Sequence, residues 1–163
     1  MSRWLSKSKL LGAACLTLLI VGVVPVGGAS YKNIIPMKNI GLGTYYVNVT
    51  LASMPESQFM VDTGSGYMTI NEESLAVLKQ QNRVKYVKDI KGILANGSAY
   101  VVPVWEVSSI TLHKQCTLKN VEAAIFPGKT RQILGLSALK KAGPIEISFD
   151  PPSLSLGNCD QVG

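Results

Sequence analysis

The stretch FMVDTGSG, residues 59–66, constrains the fold of this chain more than any other feature of its sequence. Three apolar residues typical of a buried strand stand directly before Asp62. A carboxylate at the end of a buried strand is costly to desolvate unless it has a partner or a role. Gly64 and Gly66 permit a sharp turn, which brings backbone N–H groups close to the carboxylate. The stretch predicts a strand and a tight turn that holds Asp62, and an Asx-turn in an ordinary loop is the simpler alternative.

The N-terminus has the features of an export segment. Arg3, Lys7 and Lys9 precede an uncharged, largely apolar run from Leu10 to Val26. That run is at the lower limit for spanning a bilayer, and the small residues 27–29 resemble a cleavage site. Residues 1–29 are therefore either a cleaved signal peptide or a retained membrane anchor. Because positive flanks stay in the cytoplasm, we expect the rest to be periplasmic, or anchored in the inner membrane and facing the periplasm.

The charge and size of the exported part exclude some functions and limit the number of domains. Removing residues 1–29 takes away three of the sixteen basic residues and none of the ten acidic ones, so the net charge falls from +6 to +3. The remaining lysines lack the interleaved aromatic residues of a nucleic-acid surface, so nucleic-acid binding is not expected. About 130 residues suffice for one domain. We predict a linker at residues 30–40 and a single domain at residues 41–160.

Two cysteines lie in the exported part, Cys116 and Cys159. An oxidising compartment favours a disulfide between them, and two separate buried thiols are the alternative. His113 is the only histidine, and with two distant cysteines it lacks the spacing of metal ligands. No metal site and no cofactor are expected.

The pattern of apolar and turn residues predicts a mainly β domain with one or two short helices. Runs of β-branched and aromatic residues favour strands. The predicted strands span residues 44–51, 57–61, 67–70, 107–112, 116–126, 145–149 and 153–156. Asn71 is a credible N-cap for a helix that ends near Gln81, because Glu72 and Glu73 favour the positive end of a helix. A second short helix is predicted from Ser137 to Ala142.

An exposed hairpin is predicted between residues 92 and 100. Asn96 and Gly97 form the strongest hairpin-turn signal of the chain, since both tolerate positive φ angles. Pro103 has no N–H for a sheet ladder, which places the returning strand at an edge or a bulge.

Together these motifs resemble the retropepsin-like aspartic proteases, in particular the single-domain, exported bacterial type. The resemblance covers approximately residues 41–156, and FMVDTGSG followed by ILGLSALKKAG carries it. It implies a single-lobe acid-protease barrel. The resemblance implies that Asp62 is the catalytic acid and that Gly64 is the turn residue. It implies that the Thr63 hydroxyl bonds to the same residue of a second copy of the chain. Ile133, Leu134 and Gly135 would brace the active-site loop, and the hairpin at Asn96–Gly97 would be the flap.

Aspartic proteolysis needs two carboxyl groups that share one proton, and this chain has one Asp in a suitable context. We therefore expect a homodimer in which two Asp62 residues meet at the two-fold axis and hydrolyse a peptide or protein substrate. Ser65 is expected to donate a hydrogen bond to the ionised carboxyl, which would favour an acidic optimum. The competing hypothesis is a non-catalytic exported β-domain that serves as a binding or dimerisation module.

Overall fold

A computed structural model describes residues 31, 33–93 and 97–161 of the chain. In this part the chain forms twelve strands and two short helices, so the prediction of a mainly β domain is confirmed. The strands are β1 (Asn33–Pro36), β2 (Lys38–Asn39), β3 (Tyr45–Leu51), β4 (Ser57–Val61), β5 (Met68–Asn71), β6 (Val84–Ile93), β7 (Ala99–Leu112), β8 (Cys116–Phe126), β9 (Ile133–Leu134), β10 (Ile145–Phe149), β11 (Pro152–Leu156) and β12 (Asp160–Gln161). The helices are α1 (Glu72–Gln80) and α2 (Leu136–Ala142).

The larger sheet closes on itself. Its strands follow the order β12-β8-β5-β9-β4-β3-β7-β6, and β7 also pairs antiparallel with β8. The strands from β8 through β5, β9, β4 and β3 to β7 therefore form a closed barrel, which leaves no unpaired edge within the ring. β6 lies outside the ring and forms a long hairpin with β7.

The core fills this barrel with apolar side chains that alternate along the strands. On β3 the buried positions are Val47, Val49 and Leu51, every second residue of the strand. Phe59 of β4 is fully buried beside them. Burying each large apolar side chain contributes roughly 1.5–3 kcal/mol, so the strand before Asp62 is firmly held. The rigid barrel thus fixes the position from which the Asp62 turn begins.

A linker was predicted at residues 30–40, but the structure has strands β1 and β2 within this range. β1 pairs with β11, and β10 pairs with the other edge of β11 to form a three-stranded sheet. β2 pairs with β3. Ile35 and Met37 are buried, whereas Ile34 is exposed. This alternation adds apolar contacts to the core, so residues 33–39 are part of the domain and not a linker.

The lysine-rich segment before the predicted hairpin is also a strand. The segment was not among the predicted strands, but β6 spans ten residues and pairs with β7 along its whole length. The register shifts between Tyr86 and Lys88, which marks a bulge. Pairing with β8 begins at Val104, so Pro103 lies in the part of β7 that pairs with β6 alone, as its missing N–H predicted.

Helix α1 begins directly after Asn71, the N-cap that the sequence predicted. The Asn71 side chain accepts a hydrogen bond from the Ser74 N–H at 2.9 Å, and the next two residues are acidic. Helix α2 ends at Ala142, before Gly143.

The predicted export segment, residues 1–29, lies outside the described residues. Among the residues that the structure describes, no helix is long and apolar enough to cross a membrane.

Candidate active site

Asp62 follows the last residue of β4 and begins a tight turn. The Gly64 N–H donates a hydrogen bond to Asp62 Oδ1 at 2.8 Å, and the Ser65 N–H donates to the Asp62 carbonyl oxygen at 3.3 Å. Asp62 Oδ2 accepts no hydrogen bond from the part of the chain that the structure describes. The half-buried carboxylate is therefore oriented through one oxygen while the other remains available to water or to another carboxyl group.

β9 lies directly beside this turn. It runs parallel to β4, with Met60 opposite Ile133 and Val61 opposite Leu134. The Asp62 N–H donates to the Leu134 carbonyl oxygen at 3.2 Å. Ile133 also pairs with Thr69 of β5, so β9 connects the strands on both sides of the Asp62 turn.

Gly135 allows the closest backbone contact of the site. A Cβ atom there would lie 2.1 Å from the Tyr67 carbonyl oxygen and 2.9 Å from that of Ser65. The next residue, Leu136, donates its N–H to the Ser65 carbonyl oxygen at 2.8 Å. A side chain at position 135 would push the two segments apart, so glycine is required by space and not by its φ angle.

Ser137 is a structural residue of the site that the sequence reasoning missed. Its Oγ accepts a hydrogen bond from the Met68 N–H at 2.7 Å and donates one to the Glu122 carbonyl oxygen at 2.6 Å. One hydroxyl thus joins α2 to β5 and β8. A serine in the first turn of a helix was the only local signal for this role.

The expected role of Ser65 is wrong. Its hydroxyl donates to the Tyr67 carbonyl oxygen at 2.7 Å, and a serine hydroxyl carries a single proton. Ser65 therefore stabilises the turn and does not donate to the Asp62 carboxylate. The Thr63 side chain is exposed and faces no partner within hydrogen-bond distance among the described residues.

Two cavities adjoin Asp62, one on each side of the turn. The smaller, of about 370 Å³, is bounded by Asp62, Thr63, Tyr45 and Phe149, among others. The larger, of about 680 Å³, has a mainly apolar lining with one cation, Arg131, which the sequence reasoning also missed. Asp62 is the only carboxylate among the described residues that line either cavity.

The hairpin of β6 and β7 extends over the larger cavity, and Ile93 near its tip lines that cavity. Gly97 has a φ angle of +84°, as a hairpin turn requires, whereas Asn96 lies outside the described residues.

Two side chains of β6 have raised pKa values, and one of them, Lys88, connects this hairpin to its surroundings. A hydrogen bond to the Tyr67 side chain raises the pKa of Lys88 above its usual 10.5, and the charges of Tyr67 and Glu122 raise it further. Lys88 Nζ lies 3.9 Å from a Glu122 carboxylate oxygen. Partial desolvation raises the pKa of Tyr86 above 10.0, and the charge and hydrogen bond of Asp89 add to that shift.

The two cysteines are joined by a disulfide, Cys116–Cys159, with Cα atoms 4.9 Å apart. The sequence left open a disulfide or two separate buried thiols, and the structure contains the disulfide. Across the described ranges, no group of three or more His, Cys, Asp or Glu side chains is placed to hold a metal ion.

Comparisons with known proteins agree with this geometry. The family model of the gag-polyprotein putative aspartyl protease matches residues 47–141, which include most of β3, the Asp62 turn, β9 and nearly all of α2. A retropepsin-like aspartic protease from Rickettsia conorii has a similar structure, with a TM-score of 0.55 and 23% sequence identity. The match covers 76% of this chain and 89% of that one, and it shows a common fold. A search of the curated proteins found no match.

Proposed function

The chain belongs to the gag-polyprotein putative aspartyl protease family, and from this premise we propose that it is an aspartic endopeptidase that acts as a homodimer. Each copy contributes one Asp62, and the two carboxyl groups meet at the two-fold axis. The observation that carries the proposal is the single carboxylate that the described chain presents at the junction of two cavities.

The chemistry requires a second carboxyl group. One carboxylate takes a proton from the attacking water, while the other, protonated, donates to the carbonyl oxygen of the scissile peptide bond. Two carboxyl groups held this close share one proton, since both cannot ionise together. Within the described residues no other carboxylate lines the site, so a second copy of the chain is the simplest source.

The surface around Asp62 supports this arrangement. Thr63 and Gly64 are exposed, and Phe149, beside the smaller cavity, keeps 63% of its surface accessible. Leu42, next to the cavity residue Gly43, is fully exposed. Exposed apolar side chains beside the cavity that holds Asp62 fit a surface that a second copy covers.

The remaining site residues take supporting roles in the proposed dimer. The Thr63 hydroxyl is available to bond across the axis, and Gly64 orients Asp62 through its N–H. Residues 133–135 hold the turn from beneath. The hairpin around Gly97 covers a peptide that lies in the larger cavity.

We also propose that residues 1–29 direct export and that the enzyme acts outside the cytoplasm, periplasmic or anchored there. The disulfide supports this location, because such bridges persist in oxidising compartments.

The test is cleavage of an unstructured protein such as casein by the 163-residue chain, across about pH 3 to 7. We expect wild-type activity that pepstatin inhibits and that Asp62→Asn abolishes. Asp150→Asn is the matched control, because Asp150 is exposed and lines neither cavity. A folded wild-type dimer with no activity at any pH would contradict the proposal and favour the binding or dimerisation module.

A further inference from the structure

The larger cavity beside Asp62 combines an apolar lining with one positive charge. Its apolar side chains come from β4, from β9, from the hairpin near its tip and from the end of β8, and they are Met60, Ile133, Ile93 and Phe126. Arg131 is the one cation among the described residues that line it. A cavity of this composition accepts apolar groups and adds a single site for a negative charge.

Arg131 is held close to the catalytic turn. Its Nη1 atom lies 3.5 Å from Met60 Sδ, and Met60 stands two residues before Asp62 on β4. Ile133, two residues after Arg131, pairs with the same Met60 in the sheet. The contact brings the guanidinium against the strand that delivers the catalytic carboxylate.

The charge of Arg131 has no partner within the described part of the chain. Other cations near the site are paired, since Lys129 lies 3.6 Å from Glu73 and Lys88 lies 3.9 Å from Glu122. Arg131 makes no such ion pair among the residues that the structure describes, and its side chain is exposed. A bound molecule with a carboxylate would supply the missing partner.

We propose that Arg131 is a specificity-determining residue that selects substrates with an acidic side chain close to the scissile peptide bond. The inference rests on the proposed function, because it assigns a substrate class to the same cavity. The planar guanidinium donates two parallel hydrogen bonds to a carboxylate, a geometry that a lysine does not offer.

In a symmetric dimer the substrate meets two copies of Arg131. Each copy of a symmetric dimer contributes one Arg131, and the two lie on opposite sides of the scissile bond. An acidic residue on either side of the bond is therefore favoured, and a peptide with one on each side gains from both contacts.

The test compares otherwise identical peptides that carry Glu, Gln or cysteic acid at a single position next to the scissile bond. For the wild-type chain we expect kcat/KM to be about three- to fivefold higher for Glu than for Gln near neutral pH, the range for a largely exposed ion pair. The preference for Glu should disappear as pH falls through about 4.3, where the Glu side chain becomes neutral. The preference for cysteic acid should persist there, because its sulfonate stays ionised.

Three variants of the same loop separate the roles of its cations. Arg131→Gln should bring the Glu-to-Gln ratio of kcat/KM to about one. Arg131→Glu should lower this ratio below one and should favour a peptide with Lys at the same position. Lys129→Gln removes the same charge from the same loop but at a residue that does not line the cavity, so it should keep the wild-type ratio. An equal ratio in wild type and Arg131→Gln would overturn the proposal.

Binding measurements separate this inference from the proposed protease activity. Fluorescence anisotropy with labelled Glu and Gln peptides uses the full Asp62→Asn chain, which needs no catalysis. Tighter binding of the Glu peptide that is lost in Asp62→Asn/Arg131→Gln supports the role of Arg131 even if no variant cleaves. Cleavage without any charge preference, or equal binding of the two peptides, rejects the role of Arg131 and leaves the protease proposal intact.

Discussion

Gly135→Ala tests whether close backbone packing holds the Asp62 turn. The added Cβ would lie 2.1 Å from the Tyr67 carbonyl oxygen, more than an ångström inside the 3.4 Å at which ordinary contact begins. It would also lie 2.6 Å from the Tyr67 carbonyl carbon and 2.9 Å from the Ser65 carbonyl oxygen. All three atoms belong to the backbone, so no side-chain rotation relieves the overlap.

The expected cost follows from this geometry. Overpacking a close-packed site costs typically about 1–3 kcal/mol, and a clash with backbone atoms belongs at the upper end or beyond. We expect Gly135→Ala to lower the free energy of unfolding by about 3 kcal/mol or more, from a total of roughly 5–15 kcal/mol. With a urea m-value of about 1–3 kcal/mol/M, the midpoint should fall by about 1–3 M.

Gly66→Ala is the matched control, since it makes the same substitution in the Asp62 turn against which Gly135 packs. A Cβ at position 66 would meet no atom within 4 Å, and its φ angle is not in the left-handed region. Its free energy of unfolding should change by less than about 1 kcal/mol. Urea unfolding of the oxidised proteins, followed by circular dichroism, measures both. Equal midpoints for the two variants would refute the packing argument, whereas failure of Gly135→Ala alone to fold would agree with it.

Three further predictions follow from the contacts of the structure. Ser137→Ala leaves two backbone groups without their hydrogen-bond partner, so urea unfolding should show a loss of about 2–4 kcal/mol. Cys116→Ser removes the disulfide, and its free energy of unfolding should fall by about 2–4 kcal/mol relative to the oxidised wild type. Asp89→Asn removes a negative charge that disfavours tyrosinate, so the pKa of Tyr86 should fall toward 10.0 without reaching it, because desolvation remains. Ultraviolet titration of the tyrosines, with Tyr86→Phe to identify the signal, measures that shift.

The central part of the fold could be predicted from local patterns. Strand β4 and its Asp-Thr-Gly turn combine an apolar run with glycines, and helix α1 begins at the capping residue Asn71. These signals lie within a few residues of the structure they determine, so they can be recognised without knowledge of distant contacts.

The edges of the fold could not be predicted, because their patterns depend on distant neighbours. β6 is exposed at most positions and carries lysines, so it lacks the alternation that identifies a half-buried strand. Lysines on an edge strand protect it from pairing with other chains, which makes the strand resemble a solvated loop. In β1 the alternation spans only four residues and ends at Pro36.

Two polar side chains of the site show the same limit. The sequence places the Ser65 hydroxyl next to Asp62, but the Tyr67 carbonyl oxygen lies within reach and accepts its proton. Arg131 lies 71 residues from Met60, and only the parallel pairing of β4 with β9 brings the two together. Hydrogen bonds and contacts of this kind are set by tertiary structure, which local propensity does not contain.

The central claim is that one active site requires Asp62 from two copies of the chain, and mixing wild type with Asp62→Asn tests it most directly. The two proteins are unfolded together, refolded and assayed with the amount of wild type held constant. With equal amounts, random pairing places about half of the wild-type chains in dimers that retain both carboxyl groups, so activity should fall to about half. A threefold excess of the variant should reduce it to about one quarter. Activity that stays constant at every ratio would show that a single copy suffices and would contradict the account.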